Sequence, residues 1–250
     1  MSDLSEKGYA IIPNVLSNYE IDKATYLFKL WISKVPGIKS FHANINPNGI
    51  FRYHQVGHQR HAWYIRTRPK VIQVFQEIYQ TDELIVSFDG CGWFNDDFKN
   101  KTDDCWIHSD QAPKLKNFEC IQGFVTLTSN QASTLVVYEG SHLLHKSYFG
   151  NNNSGNNWQL IEPSFLKTIE DSKRVLNVSA GSLVLWDSRT FHQNQYGYPN
   201  CEERLVQYVC YLPKSHPKNT IEVQKKRQMS FQQLRTSTHW PCPIRTVSLQ

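Results

Sequence analysis

Two periodicities divide the chain near Glu83. Before it, Ile21, Ala24, Leu27, Phe28 and Trp31 recur at helical spacing. Ser17, with Glu20 three positions later, supplies a capping box for that helix. Pro69 opens a second helix with Val71, Ile72, Phe75 and Ile78 inward. A short apolar run, residues 8–12, ends at Pro13 and predicts a strand. The stretch between the helices, with Pro36, Pro47 and several glycines, reads as polar connection. After Glu83 the apolar residues come in bursts of strand length, at 84–88, 121–128, 134–138, 182–186 and 205–212. Short strands with turn residues between them predict a mainly β fold with flanking helices, an antiparallel barrel or double-sheet jelly roll. Residues 151–157, built from Asn, Ser and Gly, predict a mobile loop. No repeat and no linker is visible. The expectation is one domain over 1–250, with a helical part at 1–82, a barrel core at about 83–213 and a basic tail at 214–250.

Composition changes this picture little. With 40% hydrophobic and 13% aromatic residues, 250 residues bury a sizeable core. The net charge is +5, and much of the excess lies late, in Lys214, Lys218, Lys225, Lys226, Arg227, Arg235 and Arg245. A solvated tail is the expectation for these charges, although such a tail also attracts anions, and Trp240 suggests that the tail's end is at least partly docked. No nucleic-acid motif accompanies the charge, so no nucleic-acid partner is expected. The six cysteines form no CxxC pair and read as free thiols in a reducing compartment. The N-terminus lacks a signal-peptide pattern, and no apolar run is long enough to cross a membrane. The cytosol or nucleus is expected, not secretion, which makes the glycosylation-like matches at 100–102 and 177–179 chance. Nothing in the pattern bears on oligomeric state.

The chemistry lies in a split triplet. His108 and Asp110 stand two apart, so on a strand they share a face. His192 follows 82 residues after Asp110, just past the apolar run 182–186. Two histidines and one carboxylate occupy one face of an iron(II) ion and leave three positions for a co-substrate and oxygen. The HxD pair alone is a weak signal, common in surface and capping positions. Arg204, twelve residues beyond His192, begins the next strand and is able to point into a barrel. A buried arginine needs an anionic partner, and a dicarboxylate would supply one through a bidentate contact.

Taken together, these segments resemble the phytanoyl-CoA dioxygenase family of iron(II)/2-oxoglutarate oxygenases. The likeness rests on the opening at 8–17, Pro69-Lys70-Val71-Ile72, His108-Ser109-Asp110-Gln111, Glu139-Gly140-Ser141-His142, and the segment 181–192 followed by Arg204. It covers about 8–213. It implies a double-stranded β-helix, a cupin-like jelly roll. It also implies that His108, Asp110 and His192 hold Fe(II), and that Arg204 meets the far carboxylate of 2-oxoglutarate. O2 would be the other co-substrate, with ascorbate supportive. The activity implied is hydroxylation of a small molecule with release of succinate and CO2. Asp110 favours hydroxylation over halogenation, because related halogenases carry a small residue there. In one departure, a serine or threonine often stands two positions after the distal histidine, whereas this chain has Asn194. Asn194, Gln122 and Thr126 are candidates to assist Arg204.

Other residues carry two readings each. His54, His58, His61 and Arg60 form either an exposed polar loop or a lid facing substrate. Trp93 lines the pocket or belongs to the core. His142 fixes a loop at a turn rather than ligating, and Asp187 shapes a turn or orients His192. Two further functional classes remain open: a catalytically silent jelly roll that binds a ligand or partner, and an oxygenase acting on protein or nucleic acid.

Overall fold

The computed structural model describes residues 2–45, 48–98 and 104–247. The glycosylation-like match at Asn100 and the proline at position 47 lie outside the described residues. The strands are β1 (Tyr9–Ile12), β2 (Ile50–Phe51), β3 (Leu84–Val86), β4 (Cys91–Phe94), β5 (His108–Ser109), β6 (Ile121–Thr126), β7 (Thr134–Tyr138), β8 (Gln159–Leu160), β9 (Lys173–Val175), β10 (Leu183–Asp187), β11 (His192–Gln195) and β12 (Arg204–Pro213). The helices are α1 (Ser2–Lys7), α2 (Asn18–Ile32), α3 (Ile38–Ile45), α4 (Arg60–Arg66), α5 (Pro69–Tyr79), α6 (Ser141–Phe149), α7 (Pro163–Thr168) and α8 (Ile221–Gln232).

Two antiparallel sheets form the jelly roll expected from the strand pattern. The larger runs β1-β10-β6-β12-β4-β2, with β3 also on β12, and the smaller runs β8-β5-β11-β7-β9. β12 alternates cleanly. Leu205, Val209 and Tyr211 face the helices, while Val206 and Tyr208 join Phe124, Leu135, Val137, Val184 and Trp186 between the sheets. Because both faces of β4, β6, β7 and β10 are buried, their sequences read as apolar runs without alternation.

The helices α2, α4 and α5 cover the outer face of the larger sheet through Ala24, Phe28, Ile65, Val71 and Phe75. The capping box of α2 is formed as expected: Ser17 Oγ accepts from Glu20 N–H at 3.3 Å, and Glu20 Oε2 accepts from Ser17 N–H at 2.9 Å. Pro69 stands in the first turn of α5. Gly90 permits a close approach beside the site, since a Cβ there would lie 1.9 Å from the Phe51 carbonyl oxygen.

Three expectations are corrected. The supposed polar connection contains α3 and α4, short helices rich in His and aromatic residues of weak helix propensity that hold their shape by packing. Gly140-Ser141-His142 is the start of α6, and His142 Nε2 lies 3.1 Å from the Ser5 carbonyl, tying down the N-terminal segment. The basic tail is not simply solvated. Lys225 and Lys226 are exposed on α8, but the chain then folds back and buries Trp240, Cys242 and Ile244. Arg227 donates to the carbonyls of Val86 (2.8 Å) and Pro241 (2.6 Å), and Ser237 bonds Phe88 through backbone and hydroxyl. Counting charges hid this docking, because apolar burial decides it. All six cysteines are unpaired, as expected.

His61 is fully buried against Phe28 and Trp31, and neither ring nitrogen has a partner among the described residues. Burial, reinforced by nearby Arg66, pushes its pKa down to about 3. The unfolded chain takes up a proton below about pH 6.5 while the folded chain does not, so stability falls as pH drops from there toward the folded value. His61→Leu is expected to remove up to about 2 kcal/mol of the stability loss at pH 5. Urea unfolding of both proteins at pH 5 and 7.5 checks this; equal acid sensitivity would contradict it.

Candidate metal centre and its cavity

The two histidines meet through strand pairing. His108 on β5 and His192 on β11 are direct register partners, with ring centroids 4.4 Å apart. His192 does not trail β10 but opens a strand of its own, held because Ser141 Oγ accepts from the Phe191 N–H at 2.8 Å. Asp110, just past β5, reaches between the rings. Its Oδ1 is 3.5 Å from His108 Nε2, and its Oδ2 is 3.4 Å from His192 Nε2. One donor atom from each of the three lies within 4.8 Å of the others, and all three residues are buried.

Both rings are oriented alike. His108 Nδ1 faces the Trp106 carbonyl at 3.2 Å, and His192 Nδ1 faces the Thr190 carbonyl at 2.9 Å. A carbonyl only accepts, so Nδ1 carries the proton and the Nε2 lone pairs point toward Asp110. Burial, with the neighbouring His192, lowers the His108 pKa despite Asp110. Burial works against the Asp110 charge, but the neighbouring His108, His192 and His239 hold its carboxyl well below the usual range. Neutral imidazole beside ionised carboxylate is the protonation state that metal ligation requires. Gln122 Nε2 donates to Asp110 Oδ2 at 3.1 Å, fixing the carboxylate.

Asn194 shares a face of β11 with His192 and leads to Arg204. Its Oδ1 accepts from Arg204 Nη1 at 2.7 Å, and its Nδ2 donates to Tyr208 Oη at 3.2 Å. Arg204 is fully buried between the rings of Phe94 and Phe124, each 5.2 Å away. Its Nε and Nη2 have no partner among the described residues, and burial pushes its pKa down to about 10. A buried cation with two free donors is a built anion site. Asn194, which holds this guanidinium, stands two strand rises, about 7 Å, along β11 from His192. Trp186, whose ring lies 5.3 Å from His192, adds a buried indole N–H without a partner among the described residues.

A cavity of about 710 Å³ opens from His108 and Asp110 between Ile45, residues 48–52, 155–158 and 238–245. Sequence reasoning missed His239 on its wall. His239 Nδ1 is hydrogen-bonded to Asp89, and its Nε2 stands 4.0 Å from Asp110 Oδ2. Burial opposes its charge, but Asp89 and Asp110 outweigh burial and push the pKa up to about 9. Trp158, also missed, adopts a left-handed φ of +64° with its ring 5.3 Å from His108. That backbone costs on the order of 1 kcal/mol for a non-glycine residue.

The remaining sequence candidates lie elsewhere. Trp93 is fully buried on the helix side of β4, paired with Leu205 and donating its Nε1–H to Glu203 at 2.8 Å. His54 packs against Phe41 and Phe51, Arg60 is exposed at the start of α4, and His58 Nε2 meets the Arg235 carbonyl at 3.0 Å. None of them lines the cavity, whereas Arg52 from the same segment does. Thr126 is committed to the turn before β10, donating to the Ser179 carbonyl at 2.9 Å rather than reaching Arg204. Asp187 pairs with Arg189 at 2.7 Å and shapes the turn after β10.

Solved structures share this fold. The epimerase SnoN, in complex with Fe3+, alpha-ketoglutarate and nogalamycin RO, superposes with TM-score 0.54 at 15% identity, covering 86% of this chain and 82% of that one. The likeness is one of fold, a jelly roll of antiparallel sheets with flanking helices. GIG2 (DUF1479) from Candida albicans superposes with TM-score 0.67 at 13% identity, covering 93% of this chain and 66% of that one. In sequence, the chain is 28% identical over 218 residues to the Ava biosynthesis cluster protein O of Aspergillus versicolor, spanning 80% of this chain and 69% of that protein. No family model matches the chain. Among the described residues no helix is long and apolar enough to cross a membrane.

Proposed function

We propose that the chain is an Fe(II)/2-oxoglutarate-dependent oxygenase that hydroxylates a small molecule, consuming O2 and releasing succinate and CO2. One observation carries this reading: the His108/Asp110/His192 donor set is joined through Asn194, on the strand face of His192, to Arg204, a buried cation two of whose donors have no partner among the described residues. The donor set suits iron(II), and the orphaned guanidinium suits the far carboxylate of 2-oxoglutarate. Iron(II), with 2-oxoglutarate and O2, supplies the oxidising chemistry that the side chains lack.

The protein's own work is positioning. The Trp106 and Thr190 carbonyls hold both imidazoles in the ligating tautomer. Gln122 keeps Asp110 turned to the histidines. Phe94 and Phe124 keep water from the Arg204 guanidinium, so that its contact with an anion is strong. Asn194 sets the orientation of Arg204, in the place where a serine or threonine would otherwise help. His239 and Asp89 hold a proton at the cavity wall beside Asp110.

Purified protein given Fe(II), ascorbate and 2-oxoglutarate is expected to release succinate slowly without substrate, and a chelator is expected to stop it. No succinate together with no 2-oxoglutarate binding would leave a silent ligand-binding jelly roll. The likeness to the epimerase SnoN supports a second outcome at the same site, inversion of a stereocentre instead of oxygen insertion. Mass spectrometry of a cell extract incubated with the enzyme separates them. Hydroxylation gives a product heavier by one oxygen, and inversion leaves the mass unchanged.

A further inference from the structure

The cavity walls carry more positive charge than the site uses. Arg52, Lys114, Lys218 and Arg245 line it, opposed by Asp89 and Asp110. Asp89 is taken by His239, Asp110 belongs to the donor set, and Lys218 is paired with Glu119. Arg52, Lys114 and Arg245 have no ion pair among the described residues. Arg52 is the most confined of these. It follows β2, two positions after Ile50 and on the same face, and its Nε is buried without a hydrogen-bond partner among the described residues. A guanidinium in this state is completed by an anion.

The apolar part of the cavity is aromatic. Trp158 remains 44% exposed although its ring stands over His108, and it holds a backbone conformation that side chains rarely adopt. Trp240 lines another wall. An exposed indole held in a strained position beside the donor set has a face free to stack. About 710 Å³ accommodates a molecule of a few fused rings.

We propose that the substrate is a flat, largely apolar anion, its acid group taken by Arg52 and its ring system stacked on Trp158 beside His108. This deepens the proposed oxygenase reading and rests on it. Arg204 is a separate arginine at the inner end of the site, so the two acids, co-substrate and substrate, have separate cations. Carboxylate and phosphate share the chemistry that Arg52 recognises.

Fluorescence titration of the full chain with 2-naphthoate, 2-naphthyl phosphate and uncharged 2-naphthamide, with manganese(II) and 2-oxoglutarate present, tests this. At least one anion is expected to bind about tenfold or more tighter than the amide, the worth of a charged hydrogen bond. The tighter anion identifies the acid group. Arg52→Gln is expected to bring the anion-to-amide ratio near one, while Arg52→Lys, which keeps the charge, retains the preference and so separates lost charge from lost fold. Trp158→Ala is expected to weaken anion and amide alike, by about threefold to tenfold. Equal binding of anion and amide by the wild type overturns the inference. So does a preference that survives Arg52→Gln, which would place the acid at another cation, or binding indifferent to Trp158→Ala. Binding is read without turnover. Lost anion preference with intact succinate release therefore overturns only this inference, whereas absent succinate release with intact preference overturns the proposed reaction.

Discussion

Asp110→Ala is expected to lower 2-oxoglutarate turnover by about 100-fold or more, since even residues outside a metal's own ligand shell cost 10–100-fold when removed. The carboxylate lies between both imidazoles and is the single negative charge of the donor set. Without it, His108 and His192 remain oriented by the Trp106 and Thr190 carbonyls, but two neutral ligands hold a divalent ion weakly. The fold should persist. Asp110 pays a desolvation penalty that the variant escapes, and Gln122 loses one partner. Metal content by elemental analysis, succinate release and circular dichroism read the three consequences separately. Full turnover in the variant would show that the ion, if any, is held elsewhere.

Arg204→Met tests the other half of the site. On the proposed reading it removes a buried charge-assisted contact worth about 3 kcal/mol, which is about a 100-fold rise in the 2-oxoglutarate KM. The effect on kcat should be smaller, because the contact holds the co-substrate before and during the reaction alike. Methionine fills the space between Phe94 and Phe124 without a charge. In the absence of 2-oxoglutarate the variant is therefore expected to be at least as stable as the wild type, since an unpaired buried cation is a liability to the fold. Thermal unfolding with and without 2-oxoglutarate checks both signs: a higher midpoint for the variant alone, and a smaller rise on adding the co-substrate. A variant less stable without ligand and unchanged in KM would make Arg204 an ordinary core residue.

Several parts of the site were legible in the chain because simple periodicity places them. His108 and Asp110 share a face by the alternation of a strand, and Arg204 begins a run whose odd and even positions separate core from interior. Asn194 stood out as a departure, and it is bonded to Arg204. Other parts were hidden for physical reasons. The strand β11 is His-Gln-Asn-Gln, with no β-branched or aromatic residue, so propensity reads it as loop. Two of its polar side chains, His192 and Asn194, belong to the site, and the two glutamines bond backbone groups. Trp93 was ambiguous by a single position: Phe94, its neighbour, faces Arg204, and one step along a strand changes the face. The wall carrying Asp89 and His239 depends on a tail docking more than a hundred residues away in sequence, and only Trp240 hinted at it. Trp158 follows a polar loop whose path no local pattern dictates.

On the proposed reading the His108/Asp110/His192 set and Arg204 form one composite site. Calorimetric titration of 2-oxoglutarate into the protein, with and without manganese(II), tests it most directly. One equivalent of 2-oxoglutarate is expected to bind with metal present, and a chelator and Arg204→Met are each expected to weaken binding about 100-fold or more. Binding of equal strength with and without metal, or no binding at all, would contradict it.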